Sequence, residues 1–357
     1  MMPPTRLIKH FIVCLCCLSA SNLAQAEPLR IFVPSFFGPK PISQHVRTTI
    51  YFGLSQAFRS KDMPEKGAWI LYGIDELNEQ SHDAAITASS WPSVRADLAV
   101  WGLVRRYDDG VVVQLFLTIT PLIRERRVRP EYWTVIVPDA NGKTFEIARD
   151  IPGLYYEFEP LTLKKRVVIE YEKPEGIPLY GSRYGGEIRG YLGEIIYFLE
   201  IYDDALLLQS NGVEGWVRLP KLSSQRSEAV SFVKGMVRLL RGDWRGCLED
   251  FAAVLSNANI PQNLRIDALL YTGLAKEKTG ESGRQEFERA YQINRLDKST
   301  VSYLLMSRIA DIVRARRRND EKRIDVSIHK FREAVKSTRV LFAENDKWFQ
   351  KIESFLK

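Results

Sequence analysis

Residues 177–222 read IPLYGSRYGGEIRGYLGEIIYFLEIYDDALLLQSNGVEGWVRLPKL, short runs of β-branched and aromatic residues separated by glycines. Such runs, bounded by turn residues, are typical of short antiparallel strands. The surrounding segment shows no helical period. Five strands are therefore predicted, at residues 167–169, 187–190, 195–201, 205–209 and 215–217. Five strands this short favour a small β-barrel over residues 164–222.

This stretch resembles a bacterial SH3 domain. The residues that carry the resemblance are Pro178-Leu179-Tyr180, Gly185-Gly186-Glu187-Ile188 with Gly190, Gly212, and the closing Gly215-Trp216-Val217. The resemblance implies a small binding module, in which Tyr180, Tyr184 and Trp216 are candidate ligand- or partner-binding residues. Trp216 also has a structural explanation, because a small barrel needs a large apolar side chain in its core.

From about Ser227 onward, apolar residues recur at steps of three and four, which predicts helices. The first set is Ala229, Phe232, Val233, Met236, Val237 and Leu240, and the second is Cys247, Leu248, Phe251, Val254 and Leu255. The break between them, Arg241-Gly242-Asp243, is a turn signal. The two sets predict a helical hairpin.

The hairpin resembles a tetratricopeptide repeat. Gly235 stands where the first helix needs a close neighbour, Cys247 takes the small-residue position of the second helix, and Phe251 follows it. A second copy runs from Asp267 through Gly273 to Tyr291, and degenerate helices at 301–315 and 324–342 supply a third, with Trp348 and Phe355 packing its end. The resemblance implies an array of helical hairpins over residues 227–357 that contacts other proteins.

Residues 27–163 alternate strand and helix patterns before a β-rich extension. A strand at 29–34 precedes a helix with one apolar face, which is built from Ile42, Val46, Ile50, Leu54 and Phe58. Strand patterns on both sides of Asp109-Gly110 predict a hairpin. We expect an α/β sandwich with a β extension, and a multidomain α+β protein as a whole.

The segments FVPSFFG (32–38) and ADLAVWGLVRRYDDGVVVQLFL (96–117) resemble the N-terminal type of domain found in the curli-secretion lipoprotein and the translocation protein TolB. Proteins of that kind are usually lipoproteins in envelope assemblies. The resemblance therefore implies a place in the bacterial cell envelope.

The first 26 residues have the order of a cleavable signal peptide: basic Arg6 and Lys9, an apolar stretch at 11–20, and a polar end at Ala24-Gln25-Ala26. Cleavage after Ala26 predicts an exported, periplasmic protein. Three cysteines in the apolar stretch, Cys14, Cys16 and Cys17, leave lipoprotein anchoring as the less favoured alternative, because no small residue precedes any of them. No later stretch has 18 consecutive apolar residues, so no further membrane span is predicted.

The formal charge of +7 is a mild basic bias, and removal of the signal lowers it by two. In an exported protein this bias favours anionic wall polymers or lipids as ligands over nucleic acid. One basic cluster is Arg124, Arg126, Arg127 and Arg129, and the other is Arg314, Arg316, Arg317, Arg318, Lys322 and Arg323. Arg314, Arg316, Arg317 and Arg318 are candidate binding residues. A solvated helix end remains an alternative explanation.

The sequence contains no catalytic pattern. His45, His82 and His329 are far apart, without metal-ligand spacing, and Cys247 occupies a slot that calls for a small buried side chain. No phosphate loop, nucleophile elbow or dinucleotide fingerprint is present. We therefore predict no catalytic site, no metal and no cofactor.

Together these patterns predict an exported, non-enzymatic scaffold or adaptor that mediates protein–protein interactions in the bacterial cell envelope. The alternative is a peptidoglycan-binding protein that recruits or regulates a cell-wall enzyme. An enzyme with an unrecognised site in the α/β domain is a third class.

Overall fold

The computed structural model describes residues 28–59, 68–107, 110–123, 133–138, 144–149, 154–163, 165–173, 175–193, 196–202, 205–218 and 224–355. The predicted signal peptide and the arginine cluster at 124–129 lie outside these residues. The described chain forms two main sheets, a separate two-stranded hairpin and a helical array. The expected mixed α+β class is confirmed.

The strands are β1 (Leu29–Ser35), β2 (Ala68–Glu76), β3 (Leu98–Tyr107), β4 (Gly110–Ile119), β5 (Trp133–Pro138), β6 (Thr144–Arg149), β7 (Tyr155–Glu157), β8 (Leu161–Leu163), β9 (Pro178–Ser182), β10 (Gly185–Tyr191), β11 (Ile196–Ile201), β12 (Ala205–Ser210) and β13 (Val213–Arg218). The helices are α1 (Ile42–Arg59), α2 (His82–Ser89), α3 (Lys165–Tyr171), α4 (Ser224–Leu240), α5 (Trp244–Leu255), α6 (Gln262–Lys278), α7 (Arg284–Ile293), α8 (Lys298–Arg317), α9 (Glu321–Thr338) and α10 (Lys347–Ser354).

The first sheet has the order β2-β1-β3-β4-β7, with β8 also paired to β4. β1 pairs in parallel with both β2 and β3, whereas β3 and β4 are antiparallel from Leu98↔Ile119 to Tyr107↔Gly110. This register confirms the hairpin predicted at the Asp-Gly pair.

Helices cover both faces of the first sheet. Alternation along β1 sends Ile31 and Val33 into the core that contains α1, and sends Phe32 into the core that contains α2. The predicted apolar face of α1 is buried throughout, at Ile42, Val46, Ile50, Leu54 and Phe58. The first sheet is therefore a layer between α1 and α2.

The second sheet is antiparallel, with the order β10-β9-β13-β12-β11. Its outermost strands, β10 and β11, do not pair with each other in the described residues, so the predicted closed barrel is not formed. Leu179, Leu206, Leu208 and Val217 are at most 1% exposed and belong to the same continuous core as the apolar face of α1. The rest of the protein covers the apolar face of this sheet, so the sheet can bury that face without closing into a barrel.

The strand predicted at residues 167–169 was wrong, since these residues lie in α3. The β-branched run favoured a strand, but the helix buries Val168 and leaves Ile169 exposed. Tertiary packing on α1 and β4 outweighs the local preference. The fifth strand of the second sheet is β9 instead.

Helices α4 to α9 form three successive helical pairs, and α10 follows them. At Gly235 and at Gly273, a Cβ atom would come within 2.9 Å of the Phe251 ring and 2.5 Å of the Phe287 ring, respectively. Each of the first two pairs is thus closed by a phenylalanine seated on a glycine of its first helix. The predicted helical array, and the close approach predicted at Gly235, are confirmed.

A segment of the first sheet is inserted into this array. Tyr156 of β7 is buried, its ring lies 5.0 Å from that of Phe232, and its hydroxyl is hydrogen-bonded to that of Tyr271. Phe158 also contacts Phe232, with ring centroids 5.8 Å apart. We call this contact the tyrosine seam. It joins the α/β part and the array into one core.

Asp267 lies one helical turn before Tyr271 and faces this seam. Burial raises the pKa of Asp267 to about 7, and the negative charge of Asp297 acts in the same direction. The neutral carboxyl is the form that the fold prefers.

Within the described residues, no helix combines the length and the apolar composition needed to cross a membrane.

Gly273→Ala should destabilise the protein. Helix propensity alone predicts a gain of about 1 kcal/mol, whereas overpacking against Phe287 predicts a loss of about 1–3 kcal/mol in the free energy of unfolding. Urea titration followed by circular dichroism measures the sign. Gly110→Ala, whose new Cβ would meet only Leu163 O at 3.9 Å, is the control. A stabilised Gly273→Ala variant would contradict the packing described here.

The stability of the protein should depend on pH through Asp267. The pKa of Asp267 is higher in the folded protein than in the unfolded chain. The stabilisation that the protonated carboxyl gives to the folded state is therefore complete below the unfolded pKa of about 3.9 and is lost as pH rises towards 7. Asp267→Asn should therefore raise Tm relative to the parent chain more at pH 8 than at pH 5. Equal shifts at both pH values would show that Asp267 does not titrate in this way.

Candidate functional site

The solvent-facing side of the second sheet carries a row of apolar side chains. Tyr180 pairs directly with Trp216 on one side and with Ile188 on the other, and Trp216 pairs with Leu207. Directly paired residues share one face of a sheet, so these four side chains lie side by side across four strands. Ile188 is 47% exposed, whereas the sequence neighbours of Tyr180, Leu207 and Trp216 point into the core and are buried: Leu179, Leu206, Leu208 and Val217.

Two further tyrosines and an arginine extend this row. The Tyr202 ring lies 5.7 Å from the Trp216 ring, and the Arg183 guanidinium lies 4.0 Å from the Tyr202 centroid. Tyr202 donates a hydrogen bond to Glu200, which raises the pKa of Tyr202. Tyr184 is 80% exposed in the β9–β10 turn. We call Tyr180, Tyr184, Ile188, Tyr202, Leu207 and Trp216 the aromatic face.

A cleft of about 360 Å³ lies between α1 and this sheet. His45, Thr49 and Phe52 of α1 form one wall, and Tyr180 and Ile188 of the aromatic face contribute to the other. Its volume is that of a small-molecule or side-chain pocket. The cleft therefore continues the aromatic face into a concave site.

The polar groups of α1 in the cleft are hydrogen-bonded to backbone carbonyls, so the charge of the cleft comes from two cations and one carboxylate. Lys173 and Arg218 are exposed at the cleft, opposed by the single carboxylate of Glu175. The Nδ1 atom of His45 lies 3.2 Å from the carbonyl oxygen of Pro41, and the side chain is buried. Thr49 donates to the carbonyl of His45 at 2.8 Å. The arrangement suits an apolar or aromatic group that bears a negative charge.

The structure thus brings together two of the candidate residues, Tyr180 and Trp216. The third, Tyr184, lies close to the cleft, because its backbone carbonyl accepts a hydrogen bond from Arg218 at 3.4 Å. Sequence reasoning did not identify the α1 wall of the cleft. His45 and Arg218 are more than 170 positions apart in sequence, and no local pattern predicts that they line one site.

The four arginines predicted as one binding cluster have different surroundings. Arg314 donates to Glu277 at 2.6 Å and to Asp311 at 2.9 Å. Burial opposes its charge, yet these hydrogen bonds raise the pKa of Arg314. Arg316 lies over the Phe355 ring, 5.6 Å from its centroid, whereas Arg317 and Arg318 are exposed. Arg314 therefore also stabilises the array.

Two other titratable side chains, Cys247 and His82, are held in the packing of the fold. Cys247 is fully buried, and burial raises the pKa of its thiol to about 12, so it remains protonated. His82 stacks on Tyr155 at 4.5 Å, its Nδ1 lies 2.7 Å from the Thr118 hydroxyl, and burial lowers its pKa. In the part of the chain that the structure describes, no group of three or more His, Cys, Asp or Glu side chains is placed to hold a metal.

No protein-family model, curated protein or solved structure matches this chain. The resemblances to bacterial SH3, tetratricopeptide and TolB-type domains therefore rest on the residues quoted for them. The aromatic face and the cleft are assigned as the candidate site on their geometry.

Proposed function

We propose that this protein is an exported, non-enzymatic scaffold or adaptor of the bacterial cell envelope, and that it binds a partner protein through the aromatic face and the cleft. The observation that carries the proposal is the continuous row from Ile188 through Tyr180 to Trp216, which ends beside a concave site. Exposed aromatic rows next to a pocket are typical anchors of protein–protein contacts.

The arrangement of the array supports placing the partner at the sheet. Tyr156 and Phe158 already occupy the aromatic surface of Phe232 in the array. In this proposal, the tetratricopeptide-like residues 227–357 hold the α/β part, and the SH3-like residues 164–222 present the binding surface.

Peptidoglycan binding, followed by recruitment or regulation of a wall enzyme, is the second candidate function. The adjoining rings of Trp216 and Tyr202 favour it, since the apolar faces of sugar rings stack on such surfaces. Lys173 and Arg218 at the cleft would meet the carboxylates of wall peptides.

The proposal is tested by site-specific photocrosslinking in intact envelopes. A photoreactive residue at position 184 should give a discrete protein adduct, because Tyr184 projects beside the row. Trp216→Ala in the same chain should reduce the adduct yield by about tenfold, as loss of an aromatic anchor does. Trp69→Ala is the control, since it removes the same kind of side chain from β2 of the other sheet, where Trp69 is 50% exposed.

Equal adduct yields from the parent chain and both variants would contradict binding at the aromatic face. Sedimentation of the purified chain with isolated sacculi, lost in Trp216→Ala and kept in Trp69→Ala, would favour the peptidoglycan function instead. Robust hydrolase activity of the purified protein would overturn the non-enzymatic assignment.

A further inference from the structure

Two adjoining cavities in the helical array share the side chains of Asp311 and Arg323. Their volumes are about 170 and 220 Å³. They lie where α7, α8 and α9 meet, far in sequence from the second sheet. Six cationic side chains line the two cavities: Arg284, Arg308, Arg314, Arg318, Arg323 and Lys330.

Three of these cations are neutralised within the protein. Arg284 pairs with Asp311 at 3.1 Å, Arg308 pairs with Glu288 at 2.7 Å, and Arg314 pairs with Glu277 at 2.6 Å. These ion pairs hold the guanidinium groups in fixed positions, since each bridges two helices. A fixed frame of donors is the arrangement that an anion site requires.

The other three cations have no carboxylate partner. Arg318, Arg323 and Lys330 make no ion pair with any residue that the structure describes, although all three line the cavities. Three cations thus remain in excess at the solvent-exposed rim of the cavities. A bound anion would be attracted to all three.

An unfilled hydrogen bond points in the same direction. The Nε atom of Arg308 is buried and has no acceptor among the described residues. A buried N–H without an acceptor is unfavourable, and Arg308 lines the smaller cavity. An acceptor oxygen supplied by a ligand could satisfy it.

We propose that these cavities form a binding site for a ligand with two linked phosphate groups. Each cavity has room for one group, and a diphosphate ester carries two to three negative charges, which matches the excess of three cations. Arginine forks bind phosphate oxygens in pairs, and Ser282 offers a further hydroxyl in the larger cavity. The site is separate from the aromatic face, so it adds an anionic ligand to the proposed scaffold.

The test is calorimetric titration of the full mature chain with inorganic pyrophosphate and with orthophosphate. Pyrophosphate should bind at least about tenfold more tightly, because its second phosphate reaches the adjoining cavity. The variant Arg318→Gln/Arg323→Gln/Lys330→Gln should weaken this binding by about thirtyfold or more. These residues are exposed, so the fold should persist.

The matched control is Arg317→Gln/Lys322→Gln/Arg332→Gln, which removes the same charge from exposed positions of α8 and α9 outside the cavities. It should change the affinity by no more than about twofold. No measurable binding of pyrophosphate, or an equal loss in both triple variants, would overturn the proposal.

Vesicles identify the source of the phosphate groups. Sedimentation with phosphatidylcholine vesicles containing cardiolipin, whose headgroup links two phosphates, reversed by pyrophosphate, would support lipid headgroups as that source. Pyrophosphate binding without such sedimentation would support a soluble diphosphate. Because the proposed function depends on the aromatic face, the adduct from position 184 should persist in the Arg318, Arg323 and Lys330 variant, so the two proposals can fail independently.

Discussion

The buried contact between Tyr156 and the helical array fixes how the parts of this protein are joined. Tyr156 belongs to a strand of only three residues, yet its ring packs on Phe232 and its hydroxyl is hydrogen-bonded to that of Tyr271. Tyr271 is itself stacked on Phe251 at 5.4 Å, and Phe251 is the ring seated on Gly235. The edge of the first sheet is therefore continuous with the close packing of the first helical pair.

This continuity distinguishes the surroundings of the helical array from those of the second sheet. The array uses its aromatic surface to hold a strand of the same chain, and Trp348 of α10 donates to the carbonyl of Ala148 in β6 at 3.1 Å. The second sheet packs one face into the common core and leaves the other to solvent. Partner binding at the sheet and anion binding between α7, α8 and α9 are consistent with that division.

Local patterns in the sequence predicted local structure well. The four-residue repeat from Ile42 to Phe58 and the hairpin closing at Gly110 were confirmed, because each depends on neighbours within a few residues. Barrel closure and the strand at 167–169 were wrong for the opposite reason. Whether the second sheet closes into a barrel depends on which distant elements cover its buried face. Whether Val168 lies in a strand or a helix likewise depends on the distant elements that pack against it.

The candidate sites show the same limit. Trp216 and Arg318 stood out in the sequence, the first beside glycines and the second in a run of cations. Other residues of the two candidate sites did not stand out, because His45 reaches the cleft from α1 and Lys330 reaches the smaller of the two adjoining cavities from α9. Packing of elements distant in the chain creates these sites, and a single sequence carries no signal for it.

Hydrogen–deuterium exchange of the purified protein tests the tyrosine seam most directly. If the array holds β7 in its core, amides of residues 155–158 should be protected to a degree similar to those of α6, despite lying at the edge of the sheet. Rapid exchange of residues 155–158 alongside a protected α6 would show that the strand is not held there. It would contradict the account of how the two parts are joined.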